Sequence, residues 1–164
     1  MLISCWYITI GIFIDLAKAF DTVNHNILLS KLCHYGVRGT AHEWFESYLN
    51  NRCQYVNVKR VNSEFLLVTY GVPQSSVLGP SLFLLYINDL STVSKLLTLF
   101  MFADDTNIFI HEKKLNDLIP LINSELDKIN IWFSANLLSL NVKKTNYFDT
   151  KCCLTLTSLL ITRK

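Results

Sequence analysis

A chain of 164 residues that is 51% apolar and only 17% charged can bury a substantial core and is too apolar to be disordered. Its net charge of +2 excludes a general polycation but leaves room for a local basic groove facing nucleic acid. Mean hydropathy of +0.29 is high for a self-contained domain and predicts a surface that something else covers.

The first 14 residues, MLISCWYITIGIFI, are apolar up to Asp15. They lack a basic start and a small-residue cleavage site and are too short to span a bilayer, so a buried strand over Tyr7–Ile14 is predicted and no membrane partner. A short helix follows over Asn26–Tyr35, closed by Gly36. Thr40 and Glu43 have capping-box spacing and open a second helix, AHEWFESYL. Gln54–Val58 and Glu64–Thr69 read as a hairpin turning at Val61–Ser63. A loop over Gly71–Gly79 leads into a helix, PSLFLLYINDL, with Pro80 in its first turn.

Leu97–Phe102 and Thr106–His111 are two strands joined at Ala103–Asp105. Leu115, Leu118, Ile119, Ile122, Leu126, Ile129, Trp132 and Phe133 then recur at helical spacing. Pro120 falls inside that pattern and predicts a late start or a kink. Tyr147–Asp149 closes the series as a strand. Trp44, Phe45, Trp132 and Phe133 read as core anchors, and His25 and His34 as packing or surface residues. Strands mixed with helices in this order predict an α+β fold, an antiparallel sheet with helices packed on one face. No repeat, low-complexity segment or flexible linker divides it. The cysteines Cys5, Cys33, Cys53, Cys152 and Cys153 are odd in number and lack metal-ligand spacing. They read as free thiols of an intracellular protein, with nothing to choose between nucleus and cytoplasm.

Asp104 and Asp105 carry the first chemical signal, because they lie between the apolar runs LFMF and TNIFI. Burying a carboxylate costs several kcal/mol unless it is compensated. A hard divalent cation such as Mg²⁺ compensates two carboxylates and leaves positions for substrate phosphates. A third carboxylate is then expected at the end of a neighbouring strand, and Asp15 ends YITIGIFID. The competing reading is a pair of aspartates that merely cap a tight turn.

Four segments in this order, FIDLAKAFDTVNH, GVPQSSVLGPSLFLLYINDL, MFADDTNIF and WFSANLLSLNVKKTNY, together resemble the palm domain of the reverse transcriptases of non-LTR retrotransposons. The resemblance runs from about Ile12 to Tyr147. It implies a polymerase palm over residues 1–150, followed by a tail over 151–164 that it does not match. It implies Asp15 and Asp104 as metal ligands, the Leu16 carbonyl as a further one, and Asp105 as the carboxylate beside the primer end. It also implies Phe20 as the steric gate against ribonucleotides and Gln74 as the glutamine beside the incoming nucleotide. Lys144 is implied as the acid that protonates pyrophosphate, with Lys143 as the near alternative.

Mg²⁺, with Mn²⁺ as a substitute, is the implied cofactor. RNA template, DNA primer and deoxynucleoside triphosphates are the implied partners. Three departures accompany the likeness. Ser75 stands where the family has Gly, adding a Cβ beside the nucleotide. The basic fingers segments are not seen before Asp15, and no thumb is recognised after Tyr147. The expectation is a palm that is inactive by itself and works with further segments of a larger polyprotein. A non-catalytic remnant of a mobile element is the alternative, and a two-metal nuclease is a third reading that the GVPQ loop speaks against. The reading further expects the three carboxylates in one metal-sized cluster, with Phe20 facing it.

Overall fold

The computed structural model describes residues 8–149. Its elements are β1 (Ile8–Ile14), α1 (His25–His34), α2 (Thr40–Leu49), β2 (Cys53–Gln54), β3 (Asn57–Val58), β4 (Val61–Asn62) and β5 (Leu66–Leu67). They continue as α3 (Gly79–Ile87), a 3₁₀ turn (Asn88–Thr92), β6 (Thr98–Phe102), β7 (Asp105–Glu112), α4 (Leu115–Ala135) and β8 (Asn146–Asp149). They fall into two compact units. One joins the chain up to Ala17 with the chain from Asp89 onward; the other is Lys18–Asn88.

The first unit is built on a four-stranded antiparallel sheet in the order β6-β7-β1-β8. Its design follows from the period of two in β1. Ile8, Ile10, Ile12 and Ile14 are all buried on one face. Register pairs Ile10 with Ile110 and Ile12 with Ile108, so β-branched side chains meet across the strands. α4 packs on this side with Leu118, Ile122, Leu126, Ile129 and Phe133 buried. Each such side chain contributes roughly 1.5–3 kcal/mol on leaving water. This is the α+β architecture expected, an antiparallel sheet with its helix on one face.

The opposite face carries Phe13, Phe100, Phe102 and Phe148, all exposed, with Phe102 at 81%. The Phe109 ring lies edge-on between Phe13 and Phe100. The hydrophobic surplus of the composition is displayed here.

Pro120 does not delay α4, which begins at Leu115 and carries the proline in its second turn. Among the described residues of this unit one charge is buried. Glu125 is 2% exposed, and its carboxylate accepts from Lys128 Nζ at 2.7 Å. The hydrogen bond from Lys128, then one from Ser94, hold its pKa below the ordinary 4.5. A lowered folded pKa stabilises the fold above that ordinary value, and the contribution is lost as pH falls through the folded one. Stability should therefore drop on acidification below about 4.5, and Glu125→Gln should flatten that limb in urea titrations across pH. An unchanged slope would dissociate Glu125 from the acid response.

The second unit packs α1 against α2 and α3. Val23, Leu28, Leu32, Leu49, Val72, Leu82, Phe83, Tyr86 and Ile87 form its interior. Asn24 caps α1, its side chain accepting from the Ile27 N–H at 3.0 Å. Three expectations are corrected here. Thr40 is not the cap of α2: Gly39, at φ +58, occupies that position, and no side chain caps the helix. Trp44 is no core anchor but 52% exposed, and Leu49 is the buried residue of α2; the ring instead stacks on Tyr48 at 5.5 Å. The hairpin turns at Lys59–Arg60, both at positive φ, between β3 and β4, and β2 pairs with β5 outside it. Two successive positive φ values match the twist of a two-residue connection, which the predicted turn at Val61–Ser63 does not.

His25 is buried and its Nε2 lies 2.9 Å from the Gly71 carbonyl, a packing role as expected. Cys33 and Cys53 are free and exposed; the other three cysteines lie outside the described residues. Among the described residues no helix is long and apolar enough to cross a membrane.

Candidate functional site

Sheet register decides where the carboxylates stand. β1 and β7 pair from Ile8↔Glu112 to Ile14↔Thr106. Asp15 follows Ile14 and Asp105 precedes Thr106, so both stand at the same end of the sheet. β6 and β7 close at Phe102↔Asp105, which leaves Ala103 and Asp104 as a two-residue turn. Positive φ falls on Ala103 (+52) and not on Asp104, the pattern of a type II′ turn, whose first central position favours glycine. A non-glycine residue there stores strain at the tip that presents both aspartates. Ala103→Gly is expected to raise the unfolding free energy by up to ~1 kcal/mol, read by denaturant titration; a loss would mean that the turn is built differently.

Asp105 is exposed and Asp104 half-exposed, so the pair is not buried as its apolar flanks suggested. The flanking phenylalanines of β6 face solvent on the open side of the sheet. Among the described residues neither carboxylate has a hydrogen-bond or ion-pair partner in the protein. Nor do any three His, Cys, Asp or Glu side chains there form a ready cage for a metal ion. The expected three-carboxylate cluster is thus not preformed. Asp15 is instead held by other groups.

Asn141 supplies that hold. Its Nδ2 donates to Asp15 Oδ2 at 2.8 Å, and its backbone N–H donates to the Asp15 carbonyl, also at 2.8 Å. Leu16 bridges Leu140, and the Ala17 N–H donates to the Ser139 carbonyl at 2.8 Å. The LNVKK segment therefore runs as a short extra rung beside Asp15. After it the N–H groups of Lys144 and Thr145 both return to the Asn141 carbonyl. That turn brings Lys144 Nζ to 3.9 Å from Asp15 Oδ2. At 72% side-chain exposure for Lys144 the attraction is weak and salt-sensitive. Sequence reasoning missed Asn141. Its signal was a polar residue two before the lysine pair, in a segment otherwise apolar on both sides.

The remaining candidates belong to the second unit. Phe20 is half-buried with its ring 4.7 Å from Phe83, and its carbonyl accepts from the Val72 N–H at 2.8 Å. Gln74 is exposed and donates through Nε2 to Asp21 Oδ1 at 3.3 Å. Ser75 is exposed, and its φ is not positive. The conformational reason for a glycine at that position does not apply to this backbone.

Two residues that sequence reasoning passed over fix the loop. Ser76 Oγ donates to the Pro73 carbonyl at 2.8 Å and accepts from the Gly79 N–H at 2.9 Å. A Cβ on Gly79 would stand 2.0 Å from that same carbonyl oxygen. The loop presenting Gln74 and Ser75 closes only over a residue without a side chain.

The sheet thus ends in aspartates from two adjoining strands, with a lysine-bearing turn laid against one of them. The family model for reverse transcriptase (RNA-dependent DNA polymerase) matches residues 5–156, and the chain belongs to that family. Two Drosophila melanogaster proteins are similar to it in sequence. It is 30% identical over 148 residues to "Probable RNA-directed DNA polymerase from transposon BS", covering 82% of this chain and 16% of the relative. It is 28% identical over 142 residues to the RNA-directed DNA polymerase from mobile element jockey, covering 82% of this chain and 15% of that one.

Among solved structures, telomerase from Candida tropicalis in complex with a fragment of telomeric RNA superposes with a TM-score of 0.66 at 12% identity. That match covers 88% of this chain and 26% of the telomerase. The Candida albicans telomerase matches at 0.65 and 13% identity, over 89% of this chain and 27% of that one. These likenesses establish the fold.

Proposed function

We propose that the chain is the palm of an RNA-directed DNA polymerase, in which Asp15, Asp104 and Asp105 serve nucleotidyl transfer onto a DNA primer paired to RNA. The observation that supports this is the register that brings Asp15 and the Asp104–Asp105 turn, whose carboxylates have no protein partner among the described residues, to the same sheet end. Mg²⁺ suits these oxygen donors, since it is usually held by one or two carboxylates plus substrate phosphates and needs no complete protein cage. When bound, paired ions would stabilise the attacking and leaving oxygens of an in-line displacement. Asp15 and Asp104 would hold them, with the Leu16 carbonyl as a further oxygen, and Mn²⁺ would substitute.

The chain's own groups would do the positioning. Asn141 fixes the rotamer of Asp15. Lys144 stands ready to neutralise or protonate an oxygen leaving near Asp15, and Lys143 is the neighbouring alternative. Phe20 would discriminate against a ribose 2′-OH, and Gln74 and Ser75 would border the nucleotide. The chain spans about a sixth of the curated relatives. Alone it is expected not to polymerise, because catalysis by positioning needs the triphosphate and the duplex held in place, and misplacement by ~1 Å costs about 10²-fold.

Primer extension on an RNA template, with deoxynucleotides and Mg²⁺, tests the reading when this chain replaces the matching segment of the jockey polymerase. Extension that depends on Asp104 supports it. A folded, inactive chimera would point to a non-catalytic remnant.

A further inference from the structure

We propose that Asn141 is a positioning residue that sets the affinity of Asp15 for a divalent cation, by taking up Oδ2 of that carboxylate and leaving Oδ1 for the ion. This role rests on the reading of Asp15 as a metal ligand and adds the residue that makes the ligand effective.

A carboxylate at the end of a strand is free to turn, because the last torsion of an aspartate side chain is broad. Asp15 is not free. Asn141 Nδ2 donates to its Oδ2 at 2.8 Å, while the Asn141 N–H donates to its main-chain carbonyl at 2.8 Å. One residue thus grips Asp15 by backbone and by side chain. Asn141 is itself held. Its carbonyl accepts from the N–H groups of Lys144 at 3.0 Å and Thr145 at 2.9 Å, and from Thr145 Oγ1 at 3.0 Å. The Asp15 side chain is 23% exposed, and among the described residues its Oδ1 accepts from no protein group. Asp104 and Asp105 have no comparable support there. Of the three carboxylates, Asp15 is the one oriented before any ion arrives.

The chemistry of the donor matters as much as its place. A carboxamide N–H is neutral, so it fixes the carboxylate and leaves the full negative charge to attract a cation. A lysine or arginine in the same place would compete with the ion. Lys144, with Nζ 3.9 Å from the same oxygen and a side chain 72% exposed, is a weak and screened competitor. Hydrogen-bonded partners behind metal-binding groups typically govern affinity by about 10–100-fold.

Mn²⁺ titration of the whole chain, with the free ion followed by electron paramagnetic resonance, tests this without turnover. Asn141→Leu keeps the size and the backbone N–H but removes the donor, and is expected to weaken Mn²⁺ binding by about tenfold or more. Asn141→Ser, too short to reach Oδ2, should do the same, and serves if leucine does not fit. Thr145→Val is the comparison for a purely structural effect. It loosens the same turn by removing the Thr145 Oγ1 bond but leaves the Asp15 contact in place, so it should bind Mn²⁺ as the wild type does. Circular dichroism and urea unfolding check that each variant is folded. Unchanged affinity in the folded Asn141 variants would overturn the positioning role, as would an equal loss in Thr145→Val, and both results leave Asp15 a ligand. Asp15→Asn separates the levels: it should bind Mn²⁺ more weakly still. Wild-type affinity in that variant, or no binding by the wild-type chain, would show that Asp15 is not a ligand and remove the basis of both.

Discussion

Asp104→Ala in the jockey chimera is expected to reduce primer extension by at least about 10³-fold, with the fold intact. The residue stands at the second position of a solvent-accessible turn and has no protein partner among the described residues, so nothing in the packing depends on it. On the proposed role its removal would delete one anchor of an ion that would stabilise charge in the transition state, a contribution of several kcal/mol, and each 1.36 kcal/mol is a factor of ten in rate. The loss should fall on kcat, because uniform substrate binding is not what the carboxylate supplies. Single-turnover extension at saturating nucleotide separates the two. A variant that retains a tenth of the wild-type rate would exclude Asp104 from metal binding.

Gly79→Ala should be the most damaging substitution in the second unit, at about 2–4 kcal/mol in the range of severe single mutations. Steric contact decides the magnitude. The added carbon would meet a backbone carbonyl at 2.0 Å, and a backbone atom cannot swing away as a side chain can. Either α3 shifts by its first turn or the Pro73–Ser76 bond opens, and both release the loop that carries Gln74. Urea unfolding measures the loss. Ser76→Ala provides the comparison, since it removes the two hydrogen bonds of its hydroxyl without a clash and should cost only about 1–2 kcal/mol. Equal stability of Gly79→Ala and the wild type would show that the loop is not closed by this contact.

The period of two in YITIGIFI and the helical period from Leu115 to Phe133 were legible because both elements bury one face against the same interior, and burial imposes the pattern. Pairing partners were not legible in the same way. Asp15 could be placed at a strand end, but the sheet end it shares with Asp105 followed only once the register fixed Ile14 against Thr106. The Thr40 cap failed because a glycine one residue earlier takes the cap geometry without a side chain, so the capping-box pattern had a silent competitor. Trp44 was misplaced for a different reason. An aromatic residue reads as core, yet only Leu49 of its helix is buried. Asn141 and Gly79 escaped notice because their roles are distances to residues far away in the sequence, Asp15 in one case and a returning carbonyl in the other.

The bond from Asn141 to Asp15 also sets a schedule. Asp15 leaves the ribosome well before Asn141: its strand pairs with β7 and β8, and its carboxylate is gripped 126 residues later. Translation at roughly 5–20 residues per second would keep this aspartate waiting on the order of ten seconds for the residue that orients it. During that interval the isoleucine face of β1 has neither its neighbouring strands nor α4 to cover it. Contacts so distant along the chain also slow folding. The nascent chain is thus open to chaperones, and to mispairing of β1, until β8 has been made.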